Sequence, residues 1–237
     1  MNIFHALKLF ALVVVLGAAP FTSAQDSSLP DVDLSRTALL ITDPQNDFLH
    51  PKGGAYALVK ENIERLNTIK NIESLFAAAK KSELPVFVSP HEYKEHDHQW
   101  QHRGALVKTM HDIKLFFVAD DGGETFGSDF LERFKPYILD GKTVISSPHK
   151  VYGPDSNDLV LQLRKRGIES VFLSGLAANL CTDSHMRELI ENGFEVHMIS
   201  DAVGAPGEEA YQAALLNYGM IANGVLSTEQ VLALLNK

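Results

Sequence analysis

The stretch "ESVFLSGLAANLCTDSHMRELIENGFEVHMIS", residues 169–200, decides the fold. It begins with the apolar run "ESVFLSG", continues with a helical pattern from about Asn179 to Asn192, and ends with the apolar run "FEVHMIS". Gly193 stands where the C-cap of that helix is expected. A helix between two apolar strands predicts a right-handed crossover, which places both strands parallel in one sheet.

The same alternation extends over the chain from residue 37 onward. Earlier strands are predicted at "TALLITD", "LPVFVSP" and "KTVISS", and the short run "MIANGV" follows later in the chain. Apolar residues spaced by three and four predict a helix over 59–81, and further helices are predicted over 155–166, 206–218 and 227–237. Apolar strands separated by amphipathic helices indicate a mostly parallel sheet covered on both faces, which is a three-layer α/β/α sandwich.

The N-terminus, "MNIFHALKLFALVVVLGAAPFTSAQ", has the pattern of a secretory signal peptide. Lys8 precedes an apolar run over residues 9–21, and the small residues Thr22 and Ala24 predict cleavage after Ala24. The alternative is an uncleaved anchor, although the run is shorter than the roughly 20 residues that span a bilayer. We therefore expect a periplasmic or secreted protein.

Composition limits the classes of partner. The chain is 45% hydrophobic and 22% charged, with a formal net charge of -9, which argues against nucleic acid or anionic lipid. Its one cysteine in 237 residues excludes an internal disulfide. We expect a small-molecule substrate, no nucleic acid, and no membrane contact after signal removal. The predicted organisation is a signal peptide (1–24), an N-terminal lead-in (25–36) and one folded domain (37–237), which contains a lid or substrate-loop insertion at 91–130.

That insertion interrupts the strand–helix alternation. It contains five of the ten histidines and the only tryptophan of the chain. Long insertions in compact α/β domains are typically binding loops or lids, so we expect this segment to cover the substrate.

Three residues with side chains suited to catalysis follow predicted strands: Asp43, Lys150 and Cys181. Ligands of such sheets bind beyond the carboxyl ends of the strands, so these side chains are expected at one crevice. A thiol needs a base to become a nucleophile and positive charge to hold the thiolate, and a carboxylate and an ammonium supply both. Taken singly, each also fits a structural role: a turn carboxylate, a solvated charge and a small buried apolar group.

The segments "LLITDPQNDFL", "SPHKVYGPDSNDL", "LSGLAANLCTDSHMREL" and "DAVGA" resemble the isochorismatase-like cysteine hydrolases, from about Thr37 to the C-terminus. This family includes nicotinamidases, N-carbamoyl amidases and isochorismatase. The resemblance implies a Rossmann-like sheet with strand order 3-2-1-4-5-6 and self-association into a homo-oligomer.

The resemblance also implies a catalytic triad and a reaction. Asp43 would be the base, Lys150 the cation that pairs with it, and Cys181 the nucleophile. The backbone N–H groups of Ala177 and Cys181 would form the oxyanion hole, with a cis peptide bond between Leu176 and Ala177. The implied reaction is cleavage of the C–N bond of a small amide through a thioester.

A metal site is a further possibility raised by "SPHEYKEHDHQWQH". Nicotinamidases of the family hold a divalent ion with Asp and His residues after the second strand. His91 and either His96 or His98 match the histidines, but Ser89 stands where that site has its aspartate. The alternative is a polar lid with solvated histidines, and the expected cofactor is none.

Further candidates for contact with the substrate are Phe48, His91, Trp100 and Tyr152. Other functions remain open at this point. One is isochorismatase-type hydrolysis of a vinyl ether, another is non-catalytic binding of a small molecule, and a third is redox sensing by Cys181.

Overall fold

The computed structural model of the protein describes residues 29–121 and 125–236. Its strands are β1 (Thr37–Thr42), β2 (Val86–Ser89), β3 (Tyr93–Lys94), β4 (Phe117–Val118), β5 (Val144–Ile145), β6 (Ser170–Leu176), β7 (Glu195–Gly204) and β8 (Gly224–Leu226). Its α-helices are α1 (Asn46–Leu49), α2 (Tyr56–Leu66), α3 (Thr68–Lys81), α4 (Ala105–Asp112), α5 (Lys135–Ile138), α6 (Leu159–Lys165), α7 (Asp183–Glu191), α8 (Glu208–Ile221) and α9 (Thr228–Leu235).

The central sheet has six strands in the order β5-β2-β1-β6-β7-β8, and all neighbouring strands are parallel. Counted along the chain, these six strands stand in the order 3-2-1-4-5-6, which the resemblance implies. The predicted fold class and strand order are confirmed. Because the order reverses between β1 and β6, the carboxyl ends of these two strands flank the crevice where such sheets bind ligands.

The sheet is covered by helices on both faces because its strands are apolar on both. In β1, Leu39 and Ile41 face one core, which includes buried residues of α2, α3 and α9. Ala38 and Leu40 face the other core, which includes buried residues of α6, α7 and α8. All residues of β1 are buried, which is the pattern of a strand inside a three-layer domain.

Some predicted helix bounds are wrong. The helix predicted over 59–81 is two helices, since Asn67 takes a left-handed conformation (φ 56°) between α2 and α3. Asparagine tolerates that region better than most residues. The helix predicted from Asp155 begins at Leu159, because a short 3-10 turn over Pro154–Ser156 comes first.

The insertion at 91–130 has structure of its own. Within its described part, β3 and β4 pair in parallel, and α4 lies between them in the chain. Tyr93, Met110 and Phe116 are buried in the same core as α2 and α3, so the segment packs onto the domain.

The predicted signal peptide lies outside the described residues. Within the described part of the chain, no helix combines the length and apolarity that crossing a membrane requires.

Candidate active site

Asp43 directly follows β1 and is fully buried. Its backbone is in the left-handed region (φ 49°), which is uncommon for a residue other than glycine and is often found at functional sites. Its N–H group donates to the carbonyl of Ser89, so the turn is tied to the end of β2. The carboxylate thereby reaches the crevice between the strand ends.

His149, and not Lys150, is the partner of Asp43. The Nε2–H of His149 donates to Asp43 Oδ1 over 2.7 Å, and both side chains are fully buried. Lys150 Nζ lies 2.7 Å from Asp97 Oδ2, and 26% of the lysine side chain is exposed. The predicted pairing of Lys150 with Asp43 is therefore wrong.

The reason for this difference is the extended backbone around residue 149. His149 forms a parallel bridge with His91, and its N–H group donates to the carbonyl of Pro90. Neighbouring side chains of an extended segment point to opposite sides. Since His149 points to Asp43, its neighbour Lys150 points away from it, to Asp97.

Cys181 lies in a π-helical turn, Ala178–Thr182, that precedes α7. The helix predicted from Asn179 thus starts with a wider turn, in which Thr182 N–H donates to the carbonyl of Ala177. The peptide bond between Leu176 and Ala177 is cis, as the resemblance implies. The Cys181 side chain is buried, and its sulfur and a carboxylate oxygen of Asp43 lie within 4.8 Å of each other.

The close approach of β1 and β6 makes this meeting possible. At Gly175 (φ 124°), a Cβ atom would lie 2.2 Å from the carbonyl oxygen of Thr42, so a side chain is excluded there. The Thr42 hydroxyl also forms a 3.0 Å hydrogen bond with the hydroxyl of Thr182. These contacts hold Asp43, the residue after Thr42, close to the turn that carries Cys181.

Electrostatics keep Cys181 as a thiol in the resting site. Burial raises the pKa of this thiol well above its ordinary value, and the Asp43 charge raises it further. Hydrogen bonds from the backbone N–H groups of Ala177 and Cys181 act in the opposite direction and lower that pKa. These two N–H groups therefore interact with negative charge at the sulfur.

The pKa of Asp43 is raised to about 6, because burial disfavours its charged form. His91, His185 and the Cys181 thiol counteract this effect and lower the pKa. A carboxylate with a pKa near 6 is mostly ionised at pH 7 yet accepts a proton readily, which is the requirement for a general base.

His185 is fixed by a chain of hydrogen bonds that passes behind Cys181. Its Nδ1–H donates to the Cys181 carbonyl over 2.8 Å, so its Nε2 accepts from the hydroxyl of Ser89, also over 2.8 Å. Asn157 Nδ2 in turn donates to Ser89 Oγ over 3.0 Å. Because the carbonyl only accepts, this chain fixes the neutral tautomer of His185.

Three buried histidines surround the carboxylate without charge. Burial lowers the pKa of His91, His149 and His185 to about 3. Within the described part of the chain, both ring nitrogens of His91 and Nδ1 of His149 have no hydrogen-bond partner. Buried polar atoms are costly when unpaired, and His91 borders the cavity at Cys181, so its ring is available to a bound molecule.

The predicted metal ligands do not come together. The His96 side chain is 69% exposed beside Asp97, and the His98 ring stacks on that of His111 with centroids 4.4 Å apart. Ser89, at the position where that site has its aspartate, forms a hydrogen bond with His185. The metal site of nicotinamidases therefore does not fit these residues.

Another set of potential ligand atoms does converge. Asp43, His91, His149 and Cys181 each place one ligand atom so that all four lie within 4.8 Å of one another. A cation bound by all four would occupy both the thiol and the carboxylate. Metal binding by this set and nucleophilic attack by the Cys181 thiol therefore exclude each other.

A cavity of about 170 Å³ opens onto Cys181. Three predicted substrate contacts, Phe48, His91 and Tyr152, line it, but Trp100 does not. The Trp100 ring instead packs against Tyr93 and His111, with centroid distances of 6.0 and 5.5 Å. The insertion contributes Leu106, Met110, Leu115 and Phe116 to the lining, which is the position expected of a substrate-covering segment.

The sequence analysis missed His149 and His185. The signal for His149 was its place beside Lys150 in "SPHKVYG", where an extended strand end leaves only one of two neighbours facing the crevice. His185 stands four residues after Cys181, on the same helical face, which was the available signal for its hydrogen bond to the Cys181 carbonyl.

Comparison with known proteins supplies independent evidence. A family model described as Isochorismatase domain matches residues 37–230. The chain is similar to Nicotinamidase 3 of Arabidopsis thaliana, with 23% identity over 205 residues that cover 84% of this chain and 89% of the relative.

Solved structures share the fold. A cysteine hydrolase from Pseudomonas syringae pv. phaseolicola 1448A has a TM-score of 0.71 at 20% identity, covering 86% of this chain and 94% of that one. N-carbamoylsarcosine amidase from Thermoplasma acidophilum has a TM-score of 0.59 at 18% identity, covering 82% of this chain and 97% of that one.

Proposed function

Because the chain belongs to the isochorismatase domain family, a family of hydrolases, we propose that it cleaves the C–N bond of a small amide through a thioester on Cys181. The predicted family and enzyme class are confirmed by the family match. The observation that carries the finer proposal is the buried Cys181 thiol, which lies beside the Asp43 carboxylate and borders an open cavity.

The first step is proton transfer from the thiol to the carboxylate. Asp43 Oδ1 is occupied by His149, while Oδ2 has no conventional hydrogen-bond partner in the described chain. Oδ2 is therefore the oxygen that takes the proton from Cys181. The sulfur then attacks the substrate carbonyl carbon, because the thiolate and not the thiol is the nucleophile.

The remaining steps use the same two side chains, Asp43 and Cys181. The backbone N–H groups of Ala177 and Cys181 receive the negative oxygen of the tetrahedral intermediate. The C–N bond breaks as Asp43 gives its proton to the departing nitrogen, which leaves a thioester and ammonia or an amine. Water then loses a proton to Asp43 and attacks the thioester, and the proton returns to the sulfur as the carboxylic acid departs.

His149 acts on this sequence through Asp43. Its neutral imidazole donates one hydrogen bond to the carboxylate but adds no positive charge, whereas the resemblance implied an ammonium there. A neutral partner stabilises the carboxylate less than a cation does, which leaves Asp43 the stronger base. His149 is thus a positioning residue of the proposed reaction.

The argument that the substrate is an amide comes from His91. It lines the cavity, and both of its ring nitrogens are unpartnered in the described structure. A neutral imidazole in that position has an acceptor nitrogen for the N–H group of a carboxamide. An ester lacks this donor and would leave the nitrogen unpaired.

The test is a panel of small amides with detection of released ammonia, run with wild type, Cys181→Ala and Asp43→Asn. We expect turnover by wild type only, and an acyl-enzyme adduct on Cys181 in rapid-quench mass spectrometry. Circular dichroism and thermal melting check that both variants fold. Undiminished turnover by folded Cys181→Ala would refute the proposal.

Export and self-association complete the proposal. The signal-like N-terminus supports delivery to the periplasm or secretion, and N-terminal sequencing of the mature protein should find Gln25 first. A mature chain that retains its apolar N-terminus would indicate an anchor instead. Homo-oligomerisation rests on the family resemblance alone and is measured by light scattering during size-exclusion chromatography.

A further inference from the structure

The cavity above Cys181 is lined by apolar side chains, and its lining defines a substrate class. In the described part of the chain, none of its lining residues is Lys, Arg, Asp or Glu. From this lining we infer that the substrate is an amide whose acyl group is small, apolar and uncharged. This inference rests on the proposed function and specifies the substrate of the same site.

The size of the cavity limits the acyl group. Its volume of about 170 Å³ is small beside the roughly 300–1,000 Å³ of pockets for drug-sized ligands. A short branched chain or a single ring fills such a space.

Three lining residues of the cavity have polar side-chain atoms: Cys181, His91 and Tyr152. Of these, Cys181 and His91 are buried. The surrounding wall is formed by side chains such as Val59, Met110 and Leu115, each at most 5% exposed. A substrate placed with its carbonyl at the sulfur therefore puts the rest of its acyl group against hydrocarbon.

Positive charge that would hold an anionic substrate is missing from this wall. Burial lowers the pKa of His91 to about 3, so its ring is neutral at pH 7. Lys150, the cation expected at the crevice, is paired with Asp97. An unpaired carboxylate in such surroundings is strongly disfavoured, which excludes dicarboxylate substrates such as isochorismate.

The cavity mouth offers a position for testing the charge argument. Leu58 lines the cavity, and its side chain is 63% exposed. A substitution at this position changes the charge at the mouth without removing a buried group. Leu58→Lys adds a cation there, and Leu58→Gln is the uncharged control.

The decisive experiment compares two amides with the same heavy-atom skeleton. In 4-methylpentanamide two methyl groups stand where succinamate has its two carboxylate oxygens. We expect kcat/KM for 4-methylpentanamide to exceed that for succinamate by at least about 100-fold in wild type, given the cost of burying an unpaired charge. Leu58→Lys should narrow this ratio by up to about 5-fold more than the uncharged control Leu58→Gln does, which is the range of an exposed ion pair.

A binding measurement separates this inference from the proposed reaction. Calorimetric titration of folded Cys181→Ala with each amide should detect 4-methylpentanamide and not succinamate. That binding preference without turnover by wild type would refute the amidase proposal and support the apolar pocket. Comparable binding of both amides, preferred turnover of succinamate, or binding of neither would overturn the inference.

Discussion

Replacement of His149 by leucine is the sharpest test of the proton-transfer arrangement. The change removes the Nε2–H that donates to Asp43 Oδ1 over 2.7 Å, in a pair whose side chains are fully buried. A hydrogen bond to a charged acceptor favours the charged form, so its loss raises the pKa of Asp43. The base then needs a higher pH to be ionised.

The size of the effect follows from this one hydrogen bond. A hydrogen bond to a charged group contributes about 1.5–3 kcal/mol, and 1.36 kcal/mol corresponds to one pKa unit. In wild type the acid limb of kcat/KM is expected near pH 6, where the pKa of Asp43 lies. In His149→Leu that limb moves up by about one to two pH units.

The assay is the pH profile of kcat/KM for one amide between pH 5 and 9. At pH 6 the variant should be about 5- to 50-fold slower than wild type, since about half of the wild-type base is ionised there. At pH 9 the gap should close, which a merely unfolded variant would not show. His149→Gln, which keeps an N–H donor, should restore part of the profile.

Lys150→Met is the matched control, because Lys150 Nζ bonds to Asp97 and not to Asp43. Its acid limb should stay near that of wild type. An unmoved limb in His149→Leu, or an upward shift in Lys150→Met alone, would contradict this assignment of the partner of Asp43.

Three further predictions concern stability and metal. Lys150→Met should lower the free energy of unfolding by about 1–3 kcal/mol in denaturant titration, because it leaves the nearly buried Asp97 carboxylate without its cation. An unchanged free energy of unfolding would mean that the ion pair does not stabilise the fold. The free energy of unfolding should also fall from about pH 6.5 towards pH 3, by roughly 1–3 kcal/mol per pH unit. The lowered pKa values of His91, His149 and His185 cause this fall, because the unfolded chain binds protons that the folded site refuses. Asp43 acts in the opposite direction between pH 3.8 and about pH 6, because folding raises its pKa from 3.8 to about 6. A free energy of unfolding that does not change with pH would contradict the neutral state of the histidines. Chelator treatment should leave amide turnover unchanged, and loss of activity with release of a metal in elemental analysis would contradict a metal-free mechanism.

The parts of the fold that sequence predicts well are those set by local pattern. Apolar runs and amphipathic spacing located five of the six strands of the central sheet, and the short run "MIANGV" overlaps the sixth. The family resemblance implied the order of the strands. Helix bounds were less accurate where one residue or a turn overrides the pattern. Asn67 divides α2 from α3 through its backbone conformation, which the apolar spacing of 59–81 does not reveal.

The candidate site shows the same division. The resemblance identified Asp43 and Cys181, and the structure brings them together. It also implied Lys150, which lies on the other side of its strand end, at Asp97. His149 and Lys150 are neighbours, and the sequence motif is the same whichever of the two faces the crevice. The motif was therefore recognisable, but it did not show that His149 is the partner of Asp43.

By itself, the sequence determined the layered parallel sheet, the family, and which strand ends carry the reactive side chains, since all of these follow from periodicity and short motifs. Only the tertiary structure decided that His149 bonds to Asp43, that three buried histidines are neutral, and that the cavity is apolar. These properties depend on burial and on contacts between residues far apart in the chain. Such contacts fix charge states and cavity shape, and local sequence patterns do not encode them.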